Sequence, residues 1–294
     1  MADACANCGE RVSGAYCAAC GQKRIVDSDR RLGHLLWQGF EAVTDLDGRF
    51  WRSLRALLLS PGRLSREYLD GRRKYWMAPM ALFLLANLVY FVLPRTLTDF
   101  DLPLSDQLVQ AHAPLTRPWV EQRVVQRDRA ARAKWEGLSA TDRAGVAAGY
   151  TLADYGRDYG AQSGNVGKAL IILHVPFLAL GLALLFWRRR MYFAEHLVVA
   201  CHQFTFLLLL VPGLLLPIGW LAQLAGVEGS GLFNVVSVAI LATAVLHFSI
   251  SLRRVYTPAA WVWLMAPVPL IGAMLLGNVF VYRFLQFVVT FAIT

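Results

Sequence analysis

Cys5, Cys8, Cys17 and Cys20 stand as C-x2-C-x8-C-x2-C, with Gly9 and Gly21 directly after the two pairs. Two such pairs supply four thiolates for one tetrahedral ion, and a glycine after the second cysteine lets the chain turn tightly around it. So short a segment cannot build an apolar core, so its folding is expected to depend on the metal. Zinc is the first expectation, with a dithiol redox pair as the alternative. Four sulfurs close the coordination shell and leave no position for a substrate, which points to a structural ion. Cys201, alone in an apolar run, reads as a small packing residue.

A second set of reactive groups lies inside apolar sequence, where ionisable side chains are costly and each is a candidate for function. Glu195 precedes His202 by two helical turns, His196 is displaced by about 100° around the same helix, and His247 falls at a similar depth in the next apolar run. Glu195, His202 and His247, with His196, could form an inner-leaflet proton relay or metal site. The competing reading is structural: a carboxylate at a helix N-terminus beside Arg188, Arg189 and Arg190 is favoured without chemistry, and interior histidines often bond neighbouring helices. His174, Glu228 and Arg283 form an outer polar group, in which Glu228 neutralises Arg283 or Arg283 snorkels to the interface.

The elements that must position these groups follow from composition. Of 294 residues, 56% are hydrophobic and 17% charged, which argues against two soluble domains, disorder or a disulfide-rich scaffold. Five runs are apolar enough to cross a hydrocarbon core as helices of about 17 to 25 residues. They are Met77 to Pro94, Ala169 to Trp187, Leu197 to Ile218, Leu232 to Leu252, and a stretch within Ala259 to Thr294. Pro267 and Pro269 divide the last, so Trp261 to Ala266 reads as an interfacial approach and Val268 to Thr290 as the crossing. The expected fold is an all-α integral membrane protein: five transmembrane helices, a small four-cysteine zinc ribbon over residues 1–24, cytoplasmic interfacial helices over 25–76, a first span over 77–94, a helical extracytoplasmic loop over 95–168, and the remaining bundle over 169–294.

Basic clusters at Arg72–Arg73–Lys74, Arg188–Arg189–Arg190 and Arg253–Arg254 fall on one side if five helices alternate. The positive-inside tendency makes that side cytoplasmic, with the N-terminus inside and the C-terminus outside. The net charge of +9 is thereby largely a matter of topology, and no nucleic-acid partner is expected. The opening 30 residues lack an apolar core, so the first span is expected to act as an uncleaved anchor.

Between the cysteines and the first span, Leu32, Leu35, Leu36, Phe40 and Val43 recur at helical spacing. Phe50, Trp51, Leu54, Leu57 and Leu58 do the same, opposite Arg49, Arg52 and Arg55. Such helices suit a surface of anionic headgroups, or equally the cytoplasmic face of the bundle. Ser60 as N-cap, Pro61 at the first position and Gly71 past the end delimit a further short helix. In the long loop, helices are expected over Trp119 to Leu138 and near Asp142 to Tyr155, then a flexible glycine-rich return through Gly156, Gly160, Gly164 and Gly167. Gly167-Lys168 lacks the rest of a phosphate-binding loop.

The Cys-x-x-Cys-Gly pairs, the stretch from Ser60-Pro61-Gly62 through Tyr68-Leu69-Asp70-Gly71-Arg72-Arg73, and Glu195-His196-Leu197 through His202 resemble a family of bacterial multi-pass membrane proteins. That family carries an N-terminal zinc ribbon and is catalogued as a domain of unknown function. The resemblance implies a ribbon-plus-bundle architecture in a bacterial inner membrane and brings no activity with it. Three functions are compatible with these residues. A scaffold or regulatory protein would use the ribbon to recruit a cytosolic partner. A proton- or ion-coupled transporter or channel, in one chain or a homo-oligomer, would use the Glu/His cluster. An intramembrane metal enzyme is the third, weakened because H-E-x-x-H, G-x-S-x-G and paired intramembrane carboxylates are all missing.

Overall fold

Each Cys-x-x-Cys-Gly turn folds the same way in the computed structural model, which describes residues 3–24, 48–92, 102–139, 141–144, 146–224 and 230–294. Strand β1 (Asp3–Ala4) pairs antiparallel with β2 (Arg11–Val12), and an isolated bridge joins Tyr16 to Lys23. Every other described element is helical, and the contacts divide the chain into two units.

The first unit takes Met1–Thr98 and His174–Met274. After the ribbon come α1 (Gly48–Leu59), α2 (Arg63–Leu69) and the apolar α3 (Pro79–Val92). Helix α1 buries Ser53, Ala56 and Leu57 against the unit while Trp51, Leu58 and Leu59 stay exposed, so the packing alternative accounts for one of its faces. The helix expected from Ser60 starts later than its sequence suggests. Gly62, in the left-handed region at φ 74°, is its N-cap and makes no side-chain cap, whereas Gly71 ends it as expected. The Arg72 N–H reaches the Glu67 carbonyl at 2.9 Å and the Gly71 N–H the Tyr68 carbonyl at 3.2 Å, a Schellman closure that needs the φ of 91° at Gly71. Residues 25–47, which hold Leu32, Leu35, Leu36, Phe40 and Val43, lie outside the described residues.

Ala56, Leu57, Leu64, Tyr68, Trp76, Ala81 and Leu82 bury their side chains with Val198 and Phe206 of a long helix further along the chain. Numbered in chain order, the remaining helices of the two units are α4 (Leu104–Gln107), α5 (Ala113–Glu136), α6 (Leu152–Leu170), α7 (His174–Leu185), α8 (Phe193–Leu224), α9 (Ser230–Tyr256), α10 (Ala260–Met265), α11 (Pro267–Gly277) and α12 (Arg283–Ile293). A π-helical turn at Asn278–Tyr282 joins α11 to α12.

The second unit takes Asp99–Leu173 and Leu275–Thr294, so residues expected to form a separate loop pack with the end of the last apolar helix. Its core gathers Leu104, Val120, Tyr155, Tyr159 and Phe287. The first loop helix covers most of the expected Trp119 to Leu138 but starts six residues earlier, at Ala113, with Pro118 inside it. The second departs further: Thr151 and Asp154 form a reciprocal capping box, and α6 runs from there straight through the glycines read as a flexible return. Ser163, Gly164 and Gly167 form a buried small-residue face. On it, Tyr282 donates to the Gly167 carbonyl at 2.8 Å and Gln286 to the Ser163 carbonyl at 3.2 Å. Small residues permit that approach, which is the reason glycine here is helical.

Four helical segments among the described residues are long and apolar enough to cross a membrane: Leu152–Leu185, Phe193–Leu210, Val235–Tyr256 and Trp261–Ile293. Pro79–Tyr90 is apolar but shorter. Large apolar side chains are left outward on these helices, among them Leu184, Val235, Val238, Val268 and Phe280. Outward-facing apolar surface of this kind is compatible with a membrane protein.

Candidate metal centre and the polar contacts behind it

The four cysteines come together. Cys5 Sγ lies 3.7 Å from Cys20 Sγ and Cys8 Sγ 3.6 Å from Cys17 Sγ, and all four sulfurs are within 4.8 Å of one another. A tetrahedron with metal–sulfur arms of about 2.3 Å has edges of about 3.8 Å, so the spacing fits one ion. A disulfide, at about 2.05 Å, does not fit these distances. The short pairs also run between the two turns, not within a Cys-x-x-Cys, which is the arrangement of a shared ion.

Local backbone chemistry repeats across the turns. Cys5 N–H donates to Glu10 O at 2.7 Å and Cys17 N–H to Gln22 O at 2.9 Å; Gly9 N–H returns to Cys5 O at 2.8 Å and Gly21 N–H to Cys17 O at 2.7 Å. Both glycines have positive φ, 79° and 70°, and the first cysteine of each pair is buried. The Gln22 backbone N–H, aimed at Cys20 sulfur, brings that thiol down to about 6. The Glu10 N–H does the same for Cys8 but is outweighed by desolvation and three neighbouring sulfurs, which push it up to about 12. Four thiols crowded this closely cannot all ionise alone, and a bound cation removes that conflict.

Gln22 seats the head on the residues after α2. Gln22, 7% exposed, donates through Nε2 to the Gly71 carbonyl at 2.5 Å and accepts through Oε1 from the Lys74 N–H at 3.3 Å. The ribbon therefore rests on the turn that closes α2. Helix α2 and the turn before it are in turn tied to α9: Arg254 donates to the Pro61 carbonyl at 2.8 Å and Arg66 to the Val255 carbonyl at 3.2 Å.

The histidines of the apolar helices have separate partners. His202 Nδ1 meets Ser65 Oγ of α2 at 2.9 Å. His247 Nε2 meets the Leu57 carbonyl of α1 at 2.9 Å, its Nδ1 lies 3.3 Å from Gln203 Nε2, and its ring stacks on Phe206 at 3.5 Å. His196 Nδ1 meets the Tyr256 hydroxyl at 2.8 Å. Glu195 accepts from the Tyr192 N–H at 2.9 Å, at the start of its own helix. Helices α8 and α9 are thus fastened by His196–Tyr256 and Gln203–His247, and α8 is fastened to α2 by Ser65–His202. Among the described residues, the cysteine cluster is the only group of three or more ligand side chains close enough to hold a metal.

His174 is buried with its ring 5.7 Å from Phe204. Arg283 donates to Gln286 at 3.0 Å, one turn along its own helix, and Glu228 lies outside the described residues. Cys201 is buried, as its apolar surroundings suggest. Gln22, Ser65 and Tyr256 carry no motif of their own, and only the fold makes them partners. Two of the three stretches that carry the family resemblance meet at Ser65–His202.

The chain is therefore a largely helical protein with several membrane-compatible helices and a four-thiol cluster fit for a metal. Residues 47–91, which comprise α1, α2 and most of α3, match the family model described as a protein of unknown function (DUF3667). No curated protein and no solved structure matches the chain.

Proposed function

We propose that this chain is a five-span inner-membrane scaffold or regulatory protein whose N-terminal ribbon holds a structural zinc ion on the cytoplasmic face and recruits a protein partner there. The observation that carries this reading is the closed set of four sulfurs seated through Gln22 on Gly71 and Lys74. A fully thiolate-ligated ion has no open position for chemistry, so its use is to give shape to a presenting surface. When bound, the ion supplies that fold and nothing more. Supporting this, the buried histidines serve helix–helix contacts, which is what a rigid platform requires.

Tyr16, 63% exposed on the ribbon, is the position from which to test recruitment. A photocrosslinking residue there in the full-length protein, in its membrane, is expected to give a discrete protein adduct that disappears in Cys20→Ser along with stoichiometric zinc. Zinc retained in both Cys5→Ser and Cys20→Ser removes the four-thiolate assignment, and adducts indifferent to zinc loss remove the recruiting role. A second reading, a proton- or ion-coupled transporter, rests on one atom: His202 Nε2 is buried without a hydrogen-bond partner among the described residues. Proton flux into liposomes that is lost in His202→Ala supports that reading instead.

A further inference from the structure

Helix α1 and the turn after α2 enclose a cleft of about 540 Å³ whose walls include Arg52, Arg55, Arg63, Glu67, Tyr75 and Trp76. All of these residues fall inside the family-model match. The volume lies within the range of small-ligand sites and exceeds what a lone ion fills. Three of the six are arginines, and their arrangement leaves positive charge unspent. Glu67 is the one acid, and both of its oxygens are occupied: Arg63 Nε donates to Oε1 at 2.8 Å and the Trp76 indole to Oε2 at 3.0 Å. Those two bonds, against a burial that alone would raise it, hold the Glu67 carboxyl below its ordinary range, so the pair with Arg63 is a fixed neutral wall. Arg52 lies over the Tyr75 ring at 5.6 Å, which orients its guanidinium without neutralising it. Arg55 has no ion pair among the described residues.

Apolar surface adjoins this charge. Leu59 lines the cleft and is 71% exposed, and Trp51, on the exposed side of the same helix, is 68% exposed. Arg52, Arg55 and Leu59 recur at helical spacing on one face, so a ligand reaching both arginines also reaches the apolar rim.

We infer that this cleft binds the phosphate group of an anionic ligand between Arg52 and Arg55, one ligand per chain, with the glycerophosphate headgroup of an anionic lipid and a soluble phosphate ester as the two sources of that chemistry. This goes beyond a basic face that tracks a charged bilayer, because it assigns one saturable site at named side chains. Guanidinium groups suit phosphate through paired N–H donors, and each arginine near an anionic headgroup contributes about a fivefold gain in affinity.

The test uses purified full-length protein in detergent and native mass spectrometry. One arm offers palmitoyl-oleoyl phosphatidylglycerol against the matching phosphatidylcholine; the other offers sn-glycerol 3-phosphate. One ligand bound per chain is expected in at least one arm, lowered about 30-fold in Arg52→Gln/Arg55→Gln and lowered less in Arg52→Lys/Arg55→Lys, which keeps the charge and loses the paired donors. Arg129→Gln, an exposed charge outside the cleft, is expected to leave binding unchanged. Preferential retention of phosphatidylglycerol identifies the lipid as the source; binding of glycerol 3-phosphate without lipid preference identifies the soluble ester. Retained metal and an unchanged elution profile show that the variants fold. Equal retention of both lipids with no glycerol phosphate bound overturns the site, as does an Arg129→Gln effect equal to that of the double variant.

Discussion

At the scale of single residues, Gly62 does two things that no other residue type does at once. Its φ of 74° lies in the left-handed region, and a Cβ there would stand 2.8 Å from both the Cα and the carbonyl oxygen of Ser251. The conformation alone costs a non-glycine residue about 1–2 kcal/mol, and overpacking against backbone that cannot rotate away adds about 1–3 kcal/mol. Gly62→Ala is therefore expected to lower the thermal midpoint of the detergent-solubilised protein markedly. Gly62→Asn separates the two causes, since asparagine tolerates this φ but still carries the Cβ. Both substitutions should be destabilising if the approach to α9 dominates; a near-wild-type asparagine variant would assign the whole effect to the dihedral. The sequence pattern around Ser60 reads as an ordinary N-cap followed by proline, and the reason it is not one lies 189 residues away, in the backbone of Ser251. Cap rules see local chemistry only, whereas the start of α2 is set by how closely α9 passes. Gly71, by contrast, was legible because a Schellman closure is entirely local.

Elements differ in legibility for the same reason. The ribbon is specified by spacing over sixteen residues from Cys5 to Cys20, and its turns form where the pattern puts them. The glycines of α6 mislead because glycine signals a loop in water, whereas Gly164 and Gly167 lie on a buried helix face that receives Tyr282 and Gln286, and Gly156 and Gly160, with open space around them, are simply carried within the helix. The signal that would have found this helix is the Thr151-x-x-Asp154 capping box. No sequence rule pairs Gln22 with Gly71 across 49 residues, yet that contact joins the four-cysteine head to α2. Its consequence is measurable. The Lys74 amide donates to Gln22 Oε1, so Gln22→Ala should raise hydrogen exchange at Lys74 by roughly 3- to 10-fold, the loss of a hydrogen bond of about 0.5–1.5 kcal/mol. On the proposed zinc reading, a chelator should raise it at least as much, because a head unfolded without its ion would not present Gln22. Exchange at Lys74 that ignores both treatments would mean that the head and α2 are not coupled.

For the whole molecule, the decisive property is that the basic clusters read from sequence as lying on one side of a bilayer converge in the first unit. Arg189 donates to the Thr257 carbonyl at 2.9 Å, Arg254 to the Pro61 carbonyl at 2.8 Å, and the ribbon sits on Gly71 and Lys74. The segments carrying all three clusters, and the four-cysteine head, therefore share one end of that unit. A single topological rule then orients all of them together, and the cytoplasmic placement of the cysteines stands or falls with the arginines. What charge cannot decide is the number of crossings. Helix α3 has 14 residues, a length of about 21 Å at 1.5 Å per residue, against a hydrocarbon core of about 30 Å. A crossing here requires local thinning of the bilayer or helical continuation beyond Val92, each at modest cost. Five crossings put the two chain ends on opposite sides and four put them on the same side, so reporter fusions at each end of the full-length protein read the count directly. With the ribbon end facing the cytoplasm, a reporter after Thr294 is expected to be active only outside. A cytoplasmic signal from both ends would show that α3 does not cross, and would return residues 102–139 to the same side as the thiols.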